Sequence, residues 1–362
     1  MTMTRTLWID AAGVPRTIDQ TLLPFELREI ALDSPAACAQ AIRTMQVRGA
    51  PLIGAVGAYG LALALRVDPG DAALDAAFAE LLETRPTAVN LRWALERVRD
   101  RVAGLSPARR AAVAWAECAA ICDEDVACNR AIGEHAARVL VAAREAAGEG
   151  ALNVLTHCNA GRIATIDEGT ALAAIYRLHR DGVPVHVWVD ETRPRNQGAS
   201  LTAWELAQRG VPHTLVADNA GGLLMQRGQV DAVIVGCDRV AANGDVVNKI
   251  GTYLKALAAR DADVPFFVAC PVASIDTRAP QGAAVEIEYR DPRELTHVQG
   301  FDDAAGAMRS LRIAPEGTAA LNPGFDVTPA RLVTALVTEH GVVSASREGI
   351  AALLAGADAD ID

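Results

Sequence analysis

The chain contains the stretch Ala232-Val233-Ile234-Val235-Gly236-Cys237-Asp238-Arg239, an apolar run that ends in a carboxylate. An earlier stretch, Val154-Leu155-Thr156-His157-Cys158-Asn159-Ala160-Gly161, has the same form with a thiol after the run. Short uncharged runs rich in β-branched residues predict buried strands of a parallel sheet. Parallel strands bring their carboxyl ends to one edge, where open α/β sheets keep their ligand crevice. The two stretches therefore predict a site that combines Cys158 with Asp238.

Apolar runs and helical segments alternate through the second half of the chain. The runs that predict buried strands are residues 152–155, 185–189, 214–216, 232–235 and 266–269. The segments that predict helices between them are residues 170–178, 201–208, 221–226 and 253–259. This alternation predicts a Rossmann-like, doubly wound parallel sheet with right-handed crossovers. We expect the Gly- and Ala-rich residues 300–320 to form a loop and the acidic tail after Ala355 to be disordered.

The first half of the chain has a different pattern. Residues 5–32 alternate and turn, which predicts a small sheet, and Ser34-Pro35 is typical of a helix start. Helical spacing follows, and the small residues at 144–150 indicate a domain boundary. Because 362 residues exceed one ordinary core, we expect two domains in an α/β fold class. The expected domains are a mainly helical domain with a small β element over 1–147 and a Rossmann-like catalytic domain over 148–362.

The composition excludes several classes of protein. A hydrophobic content of 51% with 22% charged residues fits a folded globular chain. The net charge of −11 argues against nucleic-acid and anionic-membrane partners, although a few local cations suffice for a small phosphorylated ligand. Seven cysteines without a CxxC pair predict neither a disulfide framework nor a zinc site. These thiols and the polar start Met1-Thr2-Met3-Thr4-Arg5-Thr6, which lacks a signal-peptide core, predict a cytoplasmic location.

One segment has the composition of a membrane span. Residues 49–65 carry no charge, and their length touches the lower limit for a spanning helix. However, Pro51, Gly54, Gly57 and Gly60 interrupt the segment. We therefore predict a buried, closely packed helix and no membrane partner.

The turn after the first predicted buried strand lacks the glycines of a dinucleotide site. It reads His157-Cys158-Asn159-Ala160-Gly161 where G-x-G-x-x-G would stand, and the chain has no Walker A segment. We therefore expect no nucleotide-dependent chemistry.

The Cys158 thiol has two interpretations. A free cysteine is usually a small, inert core side chain. At a turn between strand and helix it is instead exposed, and a nearby helix N-terminus favours its thiolate. His157 adjoins it, but neighbours on a strand point to opposite faces, which argues against a Cys–His catalytic dyad.

The Asp238 carboxyl also has two interpretations. It ends a segment that has no other charge after Asp231. It could cap the turn that follows, or act as a general acid/base whose pKa is raised by an apolar setting.

Several polar segments suit a phosphorylated sugar. Arg48-Gly49-Ala50-Pro51 and Arg85-Pro86-Thr87-Ala88-Val89-Asn90 each place an arginine before a helix start, which suits an anion. Asn248-Lys249 offers a lysine and turn amides for a phosphate, and Gln197 suits a sugar hydroxyl. Each segment alone is also typical of surface or capping structure. Together they predict a shared phosphate pocket between the domains.

Seven segments resemble the methylthioribose-1-phosphate isomerase family. Each alone is a weak signal, but they occur in order over nearly the whole chain, so the ordered set is specific. The matching segments are Arg48-Gly49-Ala50-Pro51, Arg85-Pro86-Thr87-Ala88-Val89-Asn90, Thr156-His157-Cys158-Asn159-Ala160-Gly161, Asp190-Glu191-Thr192-Arg193-Pro194, Gly236-Cys237-Asp238-Arg239, Asn248-Lys249-Ile250-Gly251-Thr252 and Asn322-Pro323-Gly324-Phe325-Asp326-Val327-Thr328-Pro329.

The resemblance implies the conversion of 5-methylthioribose 1-phosphate to 5-methylthioribulose 1-phosphate in methionine salvage. It implies a homodimeric aldose–ketose isomerase that needs no metal or organic cofactor. It also implies that Asp238 is the general acid/base and that Cys158 assists it. The substrate contacts that it implies are Arg48, Gly49, Ala50, Arg85, Gln197, Asn248 and Lys249.

Two departures from the family pattern leave alternatives open. Residues 162–169 carry larger side chains than many relatives have, and Arg195-Asn196 stand where many relatives have apolar residues. Substrates with another 5-substituent, 5-deoxyribose 1-phosphate or ribose 1,5-bisphosphate, therefore stay open, and the bisphosphate would need Arg195 or Arg162. The implied fold is also shared with non-catalytic regulatory subunits of the initiation-factor 2B type. Retention of both Cys158 and Asp238 favours the enzyme.

Overall fold

The computed structural model describes residues 5–86, 88–147 and 150–359. The chain divides into two compact units: unit 1 comprises residues 1–130 and 161–169, and unit 2 comprises residues 131–160 and 170–362. The division falls inside a long helix rather than after residue 147, because the earlier residues of that helix have their contacts in unit 1. The expected boundary residues 148 and 149, like Thr87, lie outside the described residues.

Helices dominate the first part of the described chain and strands the second. The helices are α1 (Pro35–Arg43), α2 (Ala50–Val67), α3 (Asp71–Glu83), α4 (Val89–Val102), α5 (Pro107–Ala147), α6 (Ala171–Arg180), α7 (Ala203–Gln208), α8 (Ala220–Gln226), α9 (Thr252–Asp261), α10 (Arg293–Thr296) and α11 (Arg347–Ala359). The strands are β1 (Leu7–Ile9), β2 (Pro15–Ile18), β3 (Glu29–Ala31), β4 (Leu152–Thr156), β5 (Val185–Asp190), β6 (His213–Val216), β7 (Ala232–Val235), β8 (Arg239–Ala241), β9 (Val246–Lys249), β10 (Phe266–Ala269), β11 (Ile275–Asp276), β12 (His297–Asp302), β13 (Ala307–Arg312), β14 (Phe325–Thr328), β15 (Ala335–Thr338) and β16 (Gly341–Val343).

Unit 1 begins with the predicted small sheet. Strands β1, β2 and β3 pair antiparallel in that order. The predicted start of α1 is also confirmed, because the Ser34 hydroxyl accepts a hydrogen bond from the Ala37 N–H at 3.2 Å. Pro35 occupies the first turn, where its missing N–H has no intrahelical partner to lose.

Helix α2 runs through the hydrophobic core of unit 1. Its glycines permit close contact with α4: a Cβ atom at Gly54 would lie 2.9 Å from the Asn90 carbonyl oxygen, and one at Gly57 would lie 2.4 Å from the Leu91 side chain. By length and composition α2 could cross a membrane, but 72% of it is buried inside the protein. This burial confirms the prediction of a closely packed core helix.

The core of unit 2 is a seven-stranded sheet with the order β16-β15-β10-β7-β4-β5-β6. The strands β6, β5, β4, β7, β10 and β15 are parallel, and β16 joins antiparallel. The chain starts at β4, adds β5 and β6 on one side, and then returns to add β7, β10 and β15 on the other. This is the doubly wound arrangement, and its switch point lies between β4 and β7. The predicted fold class is confirmed.

The apolar runs located the strands accurately. Strands β7 and β10 have the predicted bounds, and β4 and β5 each extend one residue further. The segment 201–208, predicted to be one helix, is a π-helical turn over Gly198–Thr202 followed by α7. The prediction succeeds for β7 and β10 because every residue of these strands is buried, and strands buried on both faces read as continuous apolar sequence.

Two predictions about irregular segments are wrong. Residues 300–320 are not simply a loop, because β12 and β13 pair antiparallel from His297 to Arg312. Their Gly, Ala and Asp residues hide the strand pattern. The tail after Ala355 is not disordered throughout, since α11 continues to Ala359; residues 360–362 lie outside the described residues.

A second sheet of unit 2 was not predicted. It has the order β11-β8-β9-β14, and β9 pairs antiparallel with both β8 and β14. The register places Phe325 opposite Lys249 and Asp326 opposite Asn248. This small sheet therefore joins the Asp238 and Lys249 segments to the late motif at 322–329.

Candidate functional site

Cys158 and Asp238 lie just beyond β4 and β7, the two strands that flank the switch point. The loops after these strands are in contact, since a Cβ atom at Gly236 would lie 2.7 Å from the Ala160 Cβ. The Thr156 hydroxyl also donates to the Ile234 carbonyl at 2.8 Å. The sequence stretches that predicted a shared site therefore meet at one edge of the sheet.

The backbone of Cys158 is held in an uncommon conformation. Its φ of 66° lies in the left-handed region, which costs free energy for a residue with a side chain. Two hydroxyls hold it there: the Cys158 N–H donates to Thr192 Oγ1 at 2.8 Å, and the Cys158 carbonyl accepts from Thr202 Oγ1 at 2.7 Å. Cys158 is only partly buried. The loop thus holds Cys158 in a fixed and partly exposed position.

The helix N-terminus that the sequence predicts near Cys158 is that of α6, and it does not follow the Cys158 loop directly. After Gly161 the chain enters unit 1, and it returns at Thr170 just before α6. The N–H groups of Thr170 and Leu172 both donate to the Ala160 carbonyl. The first amides of α6 are therefore used by the Cys158 loop itself.

A second thiol at this edge has a different environment. Cys237 precedes Asp238 and packs against the core of unit 2. A hydrogen bond with the Cys270 thiol and burial raise the pKa of Cys237. Cys237 is therefore a neutral, packed thiol.

Asp238 is half-buried and links the seven-stranded sheet of unit 2 to the sheet β11-β8-β9-β14. It stands between β7 and β8, and its N–H donates to the Val247 carbonyl at 3.0 Å. This bond fixes the Asp238 backbone against β9, two residues from Lys249.

Gln197 is almost fully buried, with 5% of its surface exposed. Its Oε1 atom has no hydrogen-bond partner among the described residues. The loop is tightly folded here, because a Cβ atom at Gly198 would overlap the Asp190 carbonyl oxygen. Buried amide oxygens are normally paired, so Gln197 is well suited to accept a hydrogen bond from a ligand hydroxyl.

Asn248 and Lys249 are both buried in β9. The Asn248 amide donates to Thr252 Oγ1 at 3.0 Å. The Lys249 ammonium donates to the Gly324 carbonyl at 2.8 Å and lies 4.5 Å from the centre of the Phe325 ring. A positive charge is therefore fixed between β9 and β14.

A buried charged cluster lies behind the Cys158 loop. The His157 Nδ1 and Asp190 Oδ2 atoms are 3.0 Å apart, and Lys255 Nζ lies 3.2 Å from the same oxygen. Lys255 also donates to the Asp218 carbonyl. The ligand atoms of His157, Asp190 and Asp218 are close enough together to hold a metal ion. Here, however, the Lys255 ammonium already supplies a cation to Asp190.

Asp326 joins this cluster from β14. Its carboxylate accepts hydrogen bonds from the Gly251 N–H at 2.7 Å and the Tyr253 N–H at 3.2 Å, at the start of α9. Burial raises the pKa of Asp326, while these donors and the charges of His157 and Lys255 act in the opposite direction. Of these residues, His157, Asp190 and Asp326 lie in segments that match the family pattern, whereas Asp218 and Lys255 have no such signal in the sequence.

The remaining predicted contacts lie in unit 1. Gly49 has a φ of 94° and precedes Ala50, the first residue of α2. A Cβ atom at Gly49 would lie 2.2 Å from the Ala164 carbonyl oxygen, so only glycine fits there. Arg48, half-buried, comes directly before this contact. The segment thus combines an arginine, a helix start and a backbone that lies in close contact with Ala164.

Arg85 lies before the start of α4, as predicted. Its Nη1 group donates to the Met45 sulfur at 3.5 Å. Gly54 and Asn90 are in contact, which places the amino ends of α2 and α4 side by side within unit 1. The two arginine segments therefore precede neighbouring helix starts.

Comparison with known proteins identifies the family. The model of the Initiation factor 2 subunit family matches residues 46–345. The chain belongs to this family. It is 56% identical over 359 residues to a methylthioribose-1-phosphate isomerase from Rhodospirillum rubrum, an alignment that covers 97% of this chain and 92% of the relative.

Solved structures give the same result. The crystal structure of 5-methylthioribose 1-phosphate isomerase from Pyrococcus horikoshii OT3 matches with a TM-score of 0.85 and 38% identity, over 98% of this chain and 97% of the other. A translation initiation factor eIF-2B, subunit delta, from A. fulgidus matches with a TM-score of 0.81 and 38% identity, over 98% and 100%. By its high identity to curated isomerases, the chain is an enzyme of the aldose–ketose isomerase class.

Proposed function

We propose that this chain converts 5-methylthioribose 1-phosphate to 5-methylthioribulose 1-phosphate. The observation that carries the proposal is the position of Cys158 and Asp238 after the two strands that flank the switch point. The identity to isomerases that act on this substrate supports it. The reaction is a step of methionine salvage, so that the chain would serve methionine biosynthesis.

The first step of the proposed mechanism is ring opening. C1 of the substrate carries the phosphate, so the ring cannot open by loss of an anomeric hydroxyl proton. The ring oxygen must instead accept a proton as its bond to C1 breaks. Asp238, in its protonated form, is the proposed donor, because it is half-buried at the sheet edge and its backbone is fixed by Val247.

The second step transfers hydrogen from C2 to C1. In the proton route, a base removes the C2 proton to give an enediol phosphate, which is then protonated at C1 while the C2 hydroxyl becomes a carbonyl. Cys158 is the base or stabilises this intermediate, since it is partly exposed and its loop is fixed by Thr192 and Thr202. In the hydride route, hydrogen moves directly from C2 to C1. Deuterium from the solvent enters C1 only in the proton route, and NMR of the product distinguishes the two.

The proposed substrate contacts follow from the polar groups of each unit. Gln197 accepts a hydrogen bond from a sugar hydroxyl through its buried Oε1 atom. Asn248 and Lys249 of unit 2 bind the substrate through the polar side chains that they carry in β9. The unit 1 contacts, chosen for the anion-binding character of the starts of α2 and α4, are Arg48, Gly49, Ala50 and Arg85.

The charges near Gln197 favour an uncharged 5-substituent. Arg195, which could have met a second phosphate, forms an ion pair with Glu294 at 2.8 Å. Recruiting Arg195 to a 5-phosphate would leave the Glu294 carboxylate without this partner. We therefore propose that the 5-methylthio substrate is preferred over ribose 1,5-bisphosphate.

A turnover assay tests the function and the substrate together. The purified chain is incubated with the 5-methylthio, 5-deoxy and 5-phospho forms of ribose 1-phosphate in competition, and the ketose products are measured. The expected result is product from the methylthio substrate with the highest kcat/KM. Absence of turnover on all three would overturn the proposal in favour of a regulatory subunit. Light scattering of the same sample tests the homodimer that we also propose for a cytoplasmic enzyme.

A further inference from the structure

His157 lies beside the proposed catalytic thiol and has no role in the mechanism above. Its side chain is fully buried, as is that of Asp190. Its ring meets oxygen atoms on both sides: Nδ1 is 3.0 Å from Asp190 Oδ2, and Nε2 is 2.8 Å from the Ile250 carbonyl oxygen. A buried side chain with two such bonds connects segments that are far apart in the sequence.

The two bonds hold the ring between fixed groups. A carbonyl oxygen only accepts hydrogen bonds, so Nε2 donates to Ile250. The Asp190 oxygen that faces Nδ1 also faces the Lys255 ammonium at 3.2 Å. The ring therefore connects the Ile250 carbonyl to the Asp190–Lys255 ion pair.

The same contacts link His157 to the Cys158 loop. Asp190 receives the ring through its side chain, and its backbone carbonyl accepts a hydrogen bond from the Thr192 hydroxyl at 3.0 Å. Thr192 Oγ1 in turn accepts the Cys158 N–H. The left-handed Cys158 is thus fixed to Asp190 twice: through Thr192, and through the neighbouring His157 ring.

The opposite side of the ring holds the loop before α9. Ile250 follows the proposed substrate residues Asn248 and Lys249 directly. The ring also lies against the backbone here, since a Cβ atom at Gly251 would be 3.0 Å from His157 Cε1 and Nε2. A rotation of the imidazole would therefore disturb the Lys249 loop.

We propose that His157 is a positioning residue for the reaction: bonded to Asp190 on one side and to the Ile250 carbonyl on the other, it fixes Cys158 relative to the Asn248–Lys249 segment. The proposal rests on the proposed function, because the reaction that it serves is that isomerisation. The fully buried ring takes no part in the proposed chemistry itself. It sets where the proposed thiol and the proposed substrate contacts are placed, as supporting hydrogen bonds do in other active sites.

Two substitutions separate the two bonds. The amide nitrogen of asparagine matches the position of Nδ1, so His157→Asn keeps the bond to Asp190 and loses that to Ile250. The amide nitrogen of glutamine matches Nε2, so His157→Gln keeps the bond to Ile250 and loses that to Asp190. His186→Gln is the control, since His186 lies in β5 and its ring bonds to the Thr214 hydroxyl at 3.0 Å.

The expected kinetic effects differ between the two variants. His157→Asn should raise KM about tenfold with kcat within about threefold of wild type, because the Lys249 loop is released. His157→Gln should lower kcat at least about tenfold and change the rate at which iodoacetamide alkylates Cys158 at least about threefold. His186→Gln should match wild type. Wild-type KM, kcat and alkylation rate in both His157 variants would overturn the proposal. A residue needed only for folding would change how much protein folds, but not the KM, kcat or alkylation rate of the molecules that do fold.

One measurement on the wild-type chain needs no turnover. In the chain labelled with ¹⁵N-histidine, the His157 ring should show a hydrogen-bonded Nε2–H group, assigned by comparison with the His157 variants. A ring whose Nε2 carries no proton would contradict the bond to Ile250 and overturn the proposal. The NMR and alkylation results do not depend on the substrate, so failure of this proposal is distinguishable from failure of the proposed function.

Discussion

At the amino edge of the seven-stranded sheet, polar side chains complete the backbone ladder, whereas at the carboxyl edge they are buried and in part unpaired. Asp231 accepts hydrogen bonds from the Asn153 backbone and side chain, and the Thr334 hydroxyl accepts the Phe266 N–H. These groups lie near solvent and satisfy one another locally. The amino edge thus shows what the same strands need for stability alone.

The carboxyl edge departs from that standard in three ways. It buries the ionic cluster around Asp190, whose Oδ1 atom has no hydrogen-bond partner among the described residues. The Gln197 amide oxygen at this edge also has no hydrogen-bond partner among the described residues. The edge also holds Cys158, Thr192 and Asn196 at positive φ. Each feature costs free energy, and such costs concentrate where a site is prearranged for a ligand.

The largest expected effect is at Asp238. Asp238→Asn removes the proposed proton donor and should lower kcat about 10³-fold with the fold intact. Asp231→Asn at the amino edge is the matched control, and it should keep kcat within about twofold because the amide oxygen still accepts from Asn153. Steady-state turnover and circular dichroism of both variants check this. Near-wild-type turnover in Asp238→Asn would refute the acid/base assignment.

A smaller loss is expected at Cys158. Cys158→Ser keeps the size of the side chain but replaces the thiol by a much weaker acid, and should lower kcat about 10²-fold while KM changes little. Cys237→Ser provides the comparison, because the Cys237 thiol is packed and neutral. Substrate binding measured by calorimetry completes the test. If Cys158→Ser weakened binding alone, Cys158 would be a wall of the site and not part of its chemistry.

Asp125 of unit 1 is a second buried acid, and it contrasts with Asp190 at the carboxyl edge. Asp190 faces the Lys255 ammonium, whereas the hydrogen-bond donors of Asp125 are neutral. The Asp125 carboxyl accepts from the Ile166 N–H at 2.8 Å and the Asn129 amide at 3.0 Å. Burial raises the pKa of Asp125 to about 7. Between pH about 4 and about 7 the folded state keeps a proton that the unfolded state has released, so the free energy of unfolding falls as the pH rises.

Asp125→Asn should abolish this part of the pH dependence. The asparagine oxygen still accepts both hydrogen bonds and carries no charge, so the variant should be more stable than wild type by about 4 kcal/mol at pH 8 and equal to it near pH 4. Urea unfolding at the two pH values measures the difference. A stability difference of the same size at both would show that the effect is packing and not ionisation.

The smallest effect is expected at Gln197. Gln197→Leu removes the unpaired amide oxygen and keeps the volume, so it should raise KM about tenfold and leave the thermal stability unchanged or slightly higher. A variant at the amino edge, Gln229→Leu, should alter neither. A melting curve and the substrate KM of each variant decide the matter. Loss of stability in Gln197→Leu with unchanged KM would make Gln197 a structural residue.

The sequence predicts the buried strands well and the elements added around them poorly. Strands β7 and β10 are continuous apolar runs, and β4 and β5 are largely apolar, with Asn153 and His186 at their half-buried positions. The sheet β11-β8-β9-β14 joins segments that are distant in the chain, so no local pattern announces its pairing. The hairpin β12–β13 lacks alternation, and its register appears only in the folded chain.

The same limit applies to the site. Cys158 and Asp238 stand at the ends of readable strands, which is why their positions could be predicted. Lys255 lies within α9 and reads as an ordinary helical lysine, yet the fold buries it against Asp190. The role of His157 was also hidden, because a period-2 pattern shows only that its ring points away from Cys158 and not what it meets.

The most direct test of the account is a footprint of Cys158 in the presence of substrate. The Asp238→Asn variant should bind the substrate without converting it to product. Alkylation by iodoacetamide can therefore be followed by mass spectrometry with 5-methylthioribose 1-phosphate bound. At about ten times Kd, the substrate should slow alkylation of Cys158 about tenfold and leave Cys128 of unit 1 unaffected. Equal alkylation of Cys158 with and without saturating substrate would contradict the claim that the reaction takes place at the carboxyl edge of this sheet.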